Sequence, residues 1–505
     1  MKINYKLIGL VMFVMMICCI SAASATDVDN ITVPDDTGVI EIDDTVDSVD
    51  EVESEGIDDT VDGVDTQQNL RGNANINGNT NIANYFDSTT GVLLSNAGNT
   101  LTFGGDFYKA NYNYKNFIVN RAVTINANAT NIPILHDMGF QLIADGITLN
   151  GITFDINAPS GENCYAIDIE SANNVNVINN KITYTCGSDN AAYYNYVIKA
   201  NNSGNLTISG NKMNATLPLK TPDWYAAGIN ADFVAGVAIQ DCDNLSFTGN
   251  TVNITGNRRV GGFPTLDAIM IVSSDDVYMG NNEVYLADAI TATDDYSYIY
   301  GIDVYQCNRI EINNNTVEMN GNKSGGQYKG NGTGAAYCIQ LTGPHTGIVI
   351  SNNTLTTKNN GPNLGIYSQN YYGDTSITIC GNHINVTGKA GSDEWSLVSG
   401  MELQDTNANV YGNTIYVNNT AGYNSTYYAF GISYCQNTYN DPHYYNIHDN
   451  NVTVYNADYA VYLLDDESVS GKVINNTLIA YNTGSNTGDN AVCVDENNVG
   501  VDNNN

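Results

Sequence analysis

Cationic side chains are scarce in this chain: 18 Lys and Arg stand against 54 Asp and Glu in 505 residues, giving a formal net charge of −36. Nothing in such a sequence could neutralise a row of phosphates, which excludes a nucleic-acid binder. Charged residues of both signs make up only 14%, where about 25% is ordinary for a soluble domain, so the solubilising polarity is mostly uncharged. Two Trp remove the Trp-Asp signature of a propeller. Five His, at positions His136, His345, His383, His443 and His448, show no paired spacing of metal ligands, and neither a metal nor a cofactor is expected. Past the N-terminal leader no stretch has the ~20 consecutive apolar residues of a membrane span.

What the chain has instead is 77 Asn, 47 Gly and 35 Tyr. Asn and Gly favour turns and are poor in helix and strand interiors, so a helical bundle or a doubly wound α/β fold is improbable. Residues 1–25 read as a secretory signal: Lys2 and Lys6, an apolar run from Leu7 to Ile20, then the small-x-small step Ala23-Ser24-Ala25. Residues 26–70 form an acidic spacer. Between Asp27 and Asp65 it carries no Lys or Arg, and a single-sign segment of this kind buries too little surface to offset ordering.

The rest is built on one recurring motif, apolar-x-apolar-x-x-Asn-x-apolar-x-apolar. Leu206-Thr207-Ile208-Ser209-Gly210-Asn211-Lys212-Met213 and Ile310-Glu311-Ile312-Asn313-Asn314-Asn315-Thr316-Val317 are clear copies. The anchoring residues are Asn150, Asn180, Asn211, Asn250, Asn282, Asn315, Asn353, Asn382, Asn413, Asn450, Asn476 and Asn504. Alternation with period two on either side of the Asn predicts two short strands that meet at a bend. A third strand lies upstream, as in Ile167-Asp168-Ile169, Ile302-Asp303-Val304 and Met401-Glu402-Leu403. Three strands per turn in register describe an all-β fold, a right-handed single-stranded parallel β-helix of about twelve coils or more, roughly 60 Å long at ~4.8 Å per coil. The anchors are expected to stack into an amide ladder at the corner. Residues 71–145 are expected to hold the N-terminal cap and first coils, and 146–505 the repeats. The last unit, Val499 to Asn505, stops just after its anchor, and an open coil edge there predicts truncation before a C-terminal cap.

These features together resemble the adhesin-like surface proteins of methanogenic archaea. The resemblance rests on the leader and spacer, on Ala122-Val123-Thr124-Ile125-Asn126-Ala127 leading to Ile147-Thr148-Leu149-Asn150-Gly151-Ile152-Thr153-Phe154, and on the repeated Gly-Asn-Thr and Asn-Asn-Thr steps. It implies a secreted rod at the cell surface, whose partners are glycans or proteins of another cell, or polymers of its own envelope. It further implies an anaerobic habitat, which would keep the thiols reduced.

Chemistry is hard to find along the rod. A lyase of this architecture needs a basic residue near a carboxylate cluster, and of the five Arg only Arg309 lies within a coil motif. The acid pairs Asp275-Asp276, Asp294-Asp295 and Asp465-Asp466-Glu467 fall in different phases relative to their anchors and read as solvated turns. The eight Cys after the leader are scattered and read as small apolar residues lining turns. Insertions enter mostly after the second strand and carry the candidate ligand-binding rings Trp224, Tyr225, Tyr371, Tyr372, Trp395, Tyr427 and Tyr428. Rings with a polar tip stack on sugar faces. The reading is therefore a non-enzymatic, glycan-binding surface adhesin. A polysaccharide lyase or glycoside hydrolase is the alternative, and a purely structural envelope component the third possibility.

Overall fold

A computed structural model describes residues 74–502 apart from 79–80, 159–163, 187–194, 221–233, 261–263, 290–296, 322–334, 360, 371–374, 391–396, 423–427, 436–442, 458, 465–468, 483–491 and 495–498. Each coil repeats one order. A first strand such as Cys164–Glu170 leads to a second, Asn176–Ile178; the chain then turns through Asn179 and Asn180 into a third, Lys181–Cys186. The second strands stack into a 15-stranded sheet from Ala74–Asn77 to Val499–Asp502, and 26 further strands form the first and third stacks. Pairing from coil to coil is parallel: Ile167 lies opposite Phe140 on one side and Ile198 on the other. The fold is a right-handed parallel β-helix.

The alternating pattern accounts for the core. In Lys181–Cys186 the side chains of Ile182, Tyr184 and Cys186 are buried while Lys181 and Thr185 face solvent. The first coils are filled by fully buried phenylalanines, with Phe86–Phe117 ring centres 4.8 Å apart and Phe117–Phe140 5.4 Å apart. Further along, Ile, Val, Leu and Met take over the same space.

The corner explains the sequence motif. The residue before each anchor is in the left-handed backbone region, at φ 55° for Asn179 and 64° for Gly210, where Gly, Asn and Asp are the residues of low cost. The anchor itself is buried. Ten asparagines, Asn180, Asn211, Asn250, Asn282, Asn315, Asn353, Asn382, Asn413, Asn450 and Asn476, hydrogen-bond in series. Each side-chain amide also reaches the carbonyl of the preceding coil's second strand, as Asn211 does to Val177 at 2.9 Å.

Asn150 departs from the expected series. It lies opposite Ile178, two positions before the corner, because the left-handed residue of that coil is Gly151, at φ 76°. Ile152 holds the corner position there, and its backbone N–H donates to Asn180 Oδ1 at 2.9 Å. Asn150 instead donates to Asn126 on the solvent side, at 3.1 Å. Asn504 lies outside the described residues.

A second ladder, unforeseen in the sequence, closes the turn between first and second strands. Ala172 N–H donates to Ser203 Oγ, Cys242 N–H to Ser274 Oγ, and Ser274 N–H to Cys307 Sγ. Ser and Cys alternate here because both are small acceptors that fit a buried turn. Cys164, Cys186, Cys242, Cys307, Cys338, Cys380 and Cys435 are free thiols.

Candidate active site on the outer face of the first stack

The first strands bend. Gly301 and Ile302, consecutive in sequence, both face the core: Ile302 is fully buried, and a Cβ on Gly301 would meet Val317 and the carbonyl of Cys338 at 2.6 Å. The residues on either side, Tyr300 and Asp303, therefore both face outward. Register then lines up outward rows across the coils. In one, Tyr165, Tyr196, Ala235, Asp267, Tyr300 and Tyr337 are successive partners. In the other, Lys199, Ala238, Met270, Asp303, Gln340 and Tyr367 are.

Two carboxyls lie on this face, one in each row. Asp267 lies opposite Tyr300, and Asp303, three residues beyond Tyr300, lies opposite Met270. Asp267 is 0% exposed, and neither of its oxygens has a hydrogen-bond partner. Burial, reinforced by the charge of Asp303, holds its carboxyl well above the usual range. Asp303 is partly exposed. Burial lifts its carboxyl to about 7, against a hydrogen bond from Gln340 and one from the backbone of Val304. In this poorly solvated setting the charge of Asp303 strengthens the hold of Asp267 on its proton, so Asp267 stays protonated where Asp303 has lost its own.

Further acids share the face. Glu402 lies opposite Tyr367, is raised to about 7 by burial and accepts 2.6 Å from Gln404 Nε2. At the other end Lys199 Nζ meets Asp168 at 3.3 Å and Glu170 at 2.8 Å. Burial still raises Asp168 in spite of that lysine. Rings accompany the acids: Tyr300 and Tyr337 stack with centres 5.2 Å apart, and Phe430 and Tyr462 at 4.7 Å.

Of the aromatic candidates, Trp224, Tyr225, Tyr371, Tyr372, Trp395 and Tyr427 lie outside the described residues. Tyr428 is partly buried beside Phe430, Leu364 and Leu397 on this same outer face. The pair Asp275-Asp276 is engaged at the surface by Arg309, whose Nε lies 2.6 Å from Asp276 and Nη2 3.2 Å from Asp275. Asp294-Asp295 and Asp465-Asp466-Glu467 lie outside the described residues. Among the described residues no three His, Cys, Asp or Glu are grouped to hold a metal ion, and no helix is long and apolar enough to cross a membrane. Sequence reasoning passed over Asp267, Asp303 and Glu402. Their signal was a lone acid inside an apolar run, which Asp303 and Glu402 repeat at one strand position and Asp267 shows three residues earlier on its own coil.

No known protein family matches the sequence, and no curated protein does. Solved structures do resemble the chain. The periplasmic alginate epimerase AlgG is 13% identical, with 77% of this chain and 78% of that one covered and a TM-score of 0.37. The A-module of the Azotobacter vinelandii mannuronan C-5 epimerase AlgE4 is 10% identical, over 80% and 90% of the two chains, with a TM-score of 0.33. The catalytic domain of a GH87 alpha-1,3-glucanase is 12% identical, over 81% and 65%, with a TM-score of 0.29. At these identities the likeness is one of fold. The expectation of a chain without enzymatic chemistry is nevertheless corrected: these neighbours are carbohydrate-active enzymes by name. The lyase pattern whose absence prompted that expectation is also not the only way to place acids on a coil face.

Proposed function

We propose that the chain is a carbohydrate-active enzyme, a glycoside hydrolase in reaction class, working on the outer face of the first stack. The observation that carries this reading is the Asp267–Asp303 pair. Hydrolysis of a glycosidic bond needs one carboxyl that gives a proton and one that takes one. Asp267, closed from solvent, is the proton holder. Asp303, open to the face, is ionised once the pH passes about 7.

In the cleavage step Asp267 protonates the glycosidic oxygen as its bond to the anomeric carbon breaks. A water oxygen forms the new bond to that carbon, and Asp303 takes the proton that the water loses. The sugar chain must displace the groups covering Asp267 to reach it. Tyr300, opposite Asp267, offers a ring face against which a pyranose can stack. The names of the structural neighbours support a glycan as the partner. The leader at residues 1–25 supports export, and we read the enzyme as acting outside the cell, on a polymer of its own envelope or of another cell.

The test is release of reducing ends from a polysaccharide panel by the full chain, beside D267N and D303N. The expected result is release by the wild type and a loss of about a thousandfold or more in either variant, with folding retained. Polysaccharide binding with neither reducing ends nor unsaturated products would sink the reading.

A further inference from the structure

The outer rows of the first stack also carry a charge pattern that the cleavage step does not use. Beside Asp267 and Asp303, the described acids of these rows are Asp168 and Glu402, with Glu170 two residues past Asp168, and the single described cation is Lys199. That cation is already held by Asp168 and Glu170. A polyuronate laid here would bring one carboxylate per sugar onto rows whose one described cation is already engaged, in surroundings poor enough in water that Glu402 is already pushed up to about 7. A neutral sugar meets no such opposition. Its hydroxyls can donate to the carboxylates and accept from amides such as Gln340, and its C–H faces suit the rings.

The rings have a direction. Tyr300, Tyr337 and then, past Leu364 and Ser399, Phe430 and Tyr459 follow one another coil by coil in a single row. The second row carries Tyr367, Glu402, Ser433 and Tyr462 beside it. Coils repeat at ~4.8 Å, close to the rise of one sugar along an extended chain, so a polymer parallel to the helix axis meets successive coils with successive sugars. Asp267, set in this same row, is a fully buried carboxyl without a hydrogen-bond partner, which a sugar hydroxyl would supply.

We propose that this face binds a neutral polysaccharide lying along the helix axis and discriminates against polyuronates. The proposal shares its site with the hydrolase reading but not its chemistry, so binding is measured on full-length D303N, in which cleavage is removed. Affinity electrophoresis and calorimetry compare neutral chains (β-glucan, α-glucan, mannan, galactan, xylan) with alginate and polygalacturonate. At least one neutral chain is expected to bind. Y337A should weaken that binding about three- to tenfold while Y337F preserves it, with melting temperature as the control for folding. Polyuronates should bind at least about tenfold more weakly, with the gap narrowing as salt screens the face. Equal or tighter binding of a polyuronate, or no binding of any neutral chain, overturns the proposal. Neutral binding by D303N with no turnover by the wild type overturns the hydrolase reading alone. Turnover of a polyuronate leaves the enzyme reading standing and removes this one.

Discussion

Asn282 and Asn315, 33 residues apart in sequence, share one oxygen twice over. Oδ1 of Asn315 accepts from the side-chain amide of Asn282 at 2.8 Å and from its backbone N–H at 2.9 Å. The other proton of the Asn282 amide goes to the carbonyl of Phe247, and Asn282 Oδ1 serves Asn250 in the same double way. One side chain therefore satisfies two buried backbone groups of the preceding coil, the Asn250 N–H and the Phe247 carbonyl.

Replacing Asn282 by Ala takes from the buried backbone N–H of Asn250 its side-chain acceptor and from the carbonyl of Phe247 its side-chain donor. At about 1–3 kcal/mol for each such group, a loss of about 3 kcal/mol is expected, read as a lower thermal midpoint and faster hydrogen exchange around that corner. Asn281, one residue earlier, has a left-handed backbone at φ 56° and accepts only an exposed side-chain bond, from Asn314 Nδ2 at 2.6 Å. N281G should cost less than about 1 kcal/mol.

Stability should fall as the pH rises from about 4 to about 7. Asp303 and Glu402 are raised from 3.8 and 4.5 to about 7, so in that window the folded state holds protons that the unfolded state has released. Their contribution is fully present below the unfolded values and lost once the folded ones are passed. Melting temperatures across this range should decline less steeply in D303N and E402Q; equal slopes in wild type and variants contradict the assignment.

The same titration should appear in catalysis. If Asp303 takes the proton from water, kcat/KM should rise with pH to a limb near 7, set by the free enzyme. E402Q should leave that limb in place. A limb that moves with Glu402 rather than Asp303 would exchange their roles.

The buried turn thiols should be inert in the native state. Burial pushes Cys242 and Cys307 up to about 12, and a thiolate is needed for reaction. A thiol reagent should label them only after denaturation. C242S should be nearly neutral, since Ser203 and Ser274 hold the equivalent turns. C242V removes the Sγ that faces the backbone N–H of Ser203, which keeps the carbonyl of Asp241 at 3.2 Å, and should cost about 1 kcal/mol.

Much of the architecture was legible because it is local. The left-handed corner needs Gly, Asn or Asp just before a buried Asn, and strands on either side need period-two alternation, so each coil carries its own signature within about ten residues. The misplacement of Asn150 shows the limit of that signature. Asn150-Gly151-Ile152 contains an Asn and a left-handed residue in the wrong order, and only the register with Ile178 shows that Ile152 takes the corner. The Ser and Cys ladder escaped notice because its members share size and acceptor capacity rather than residue type.

The sequence by itself determined a β-helix, its repeat and its acidic character, since alternation, corner chemistry and charge are properties of short segments. The tertiary structure alone decided where chemistry could sit. Asp267 and Asp303 are 36 residues apart, and the insertions between coils vary in length, so no fixed spacing marks them as neighbours. Stacking removes those insertions from the count, sets coil upon coil in register, and leaves two carboxyls sharing one poorly solvated face where each alters the other's hold on a proton.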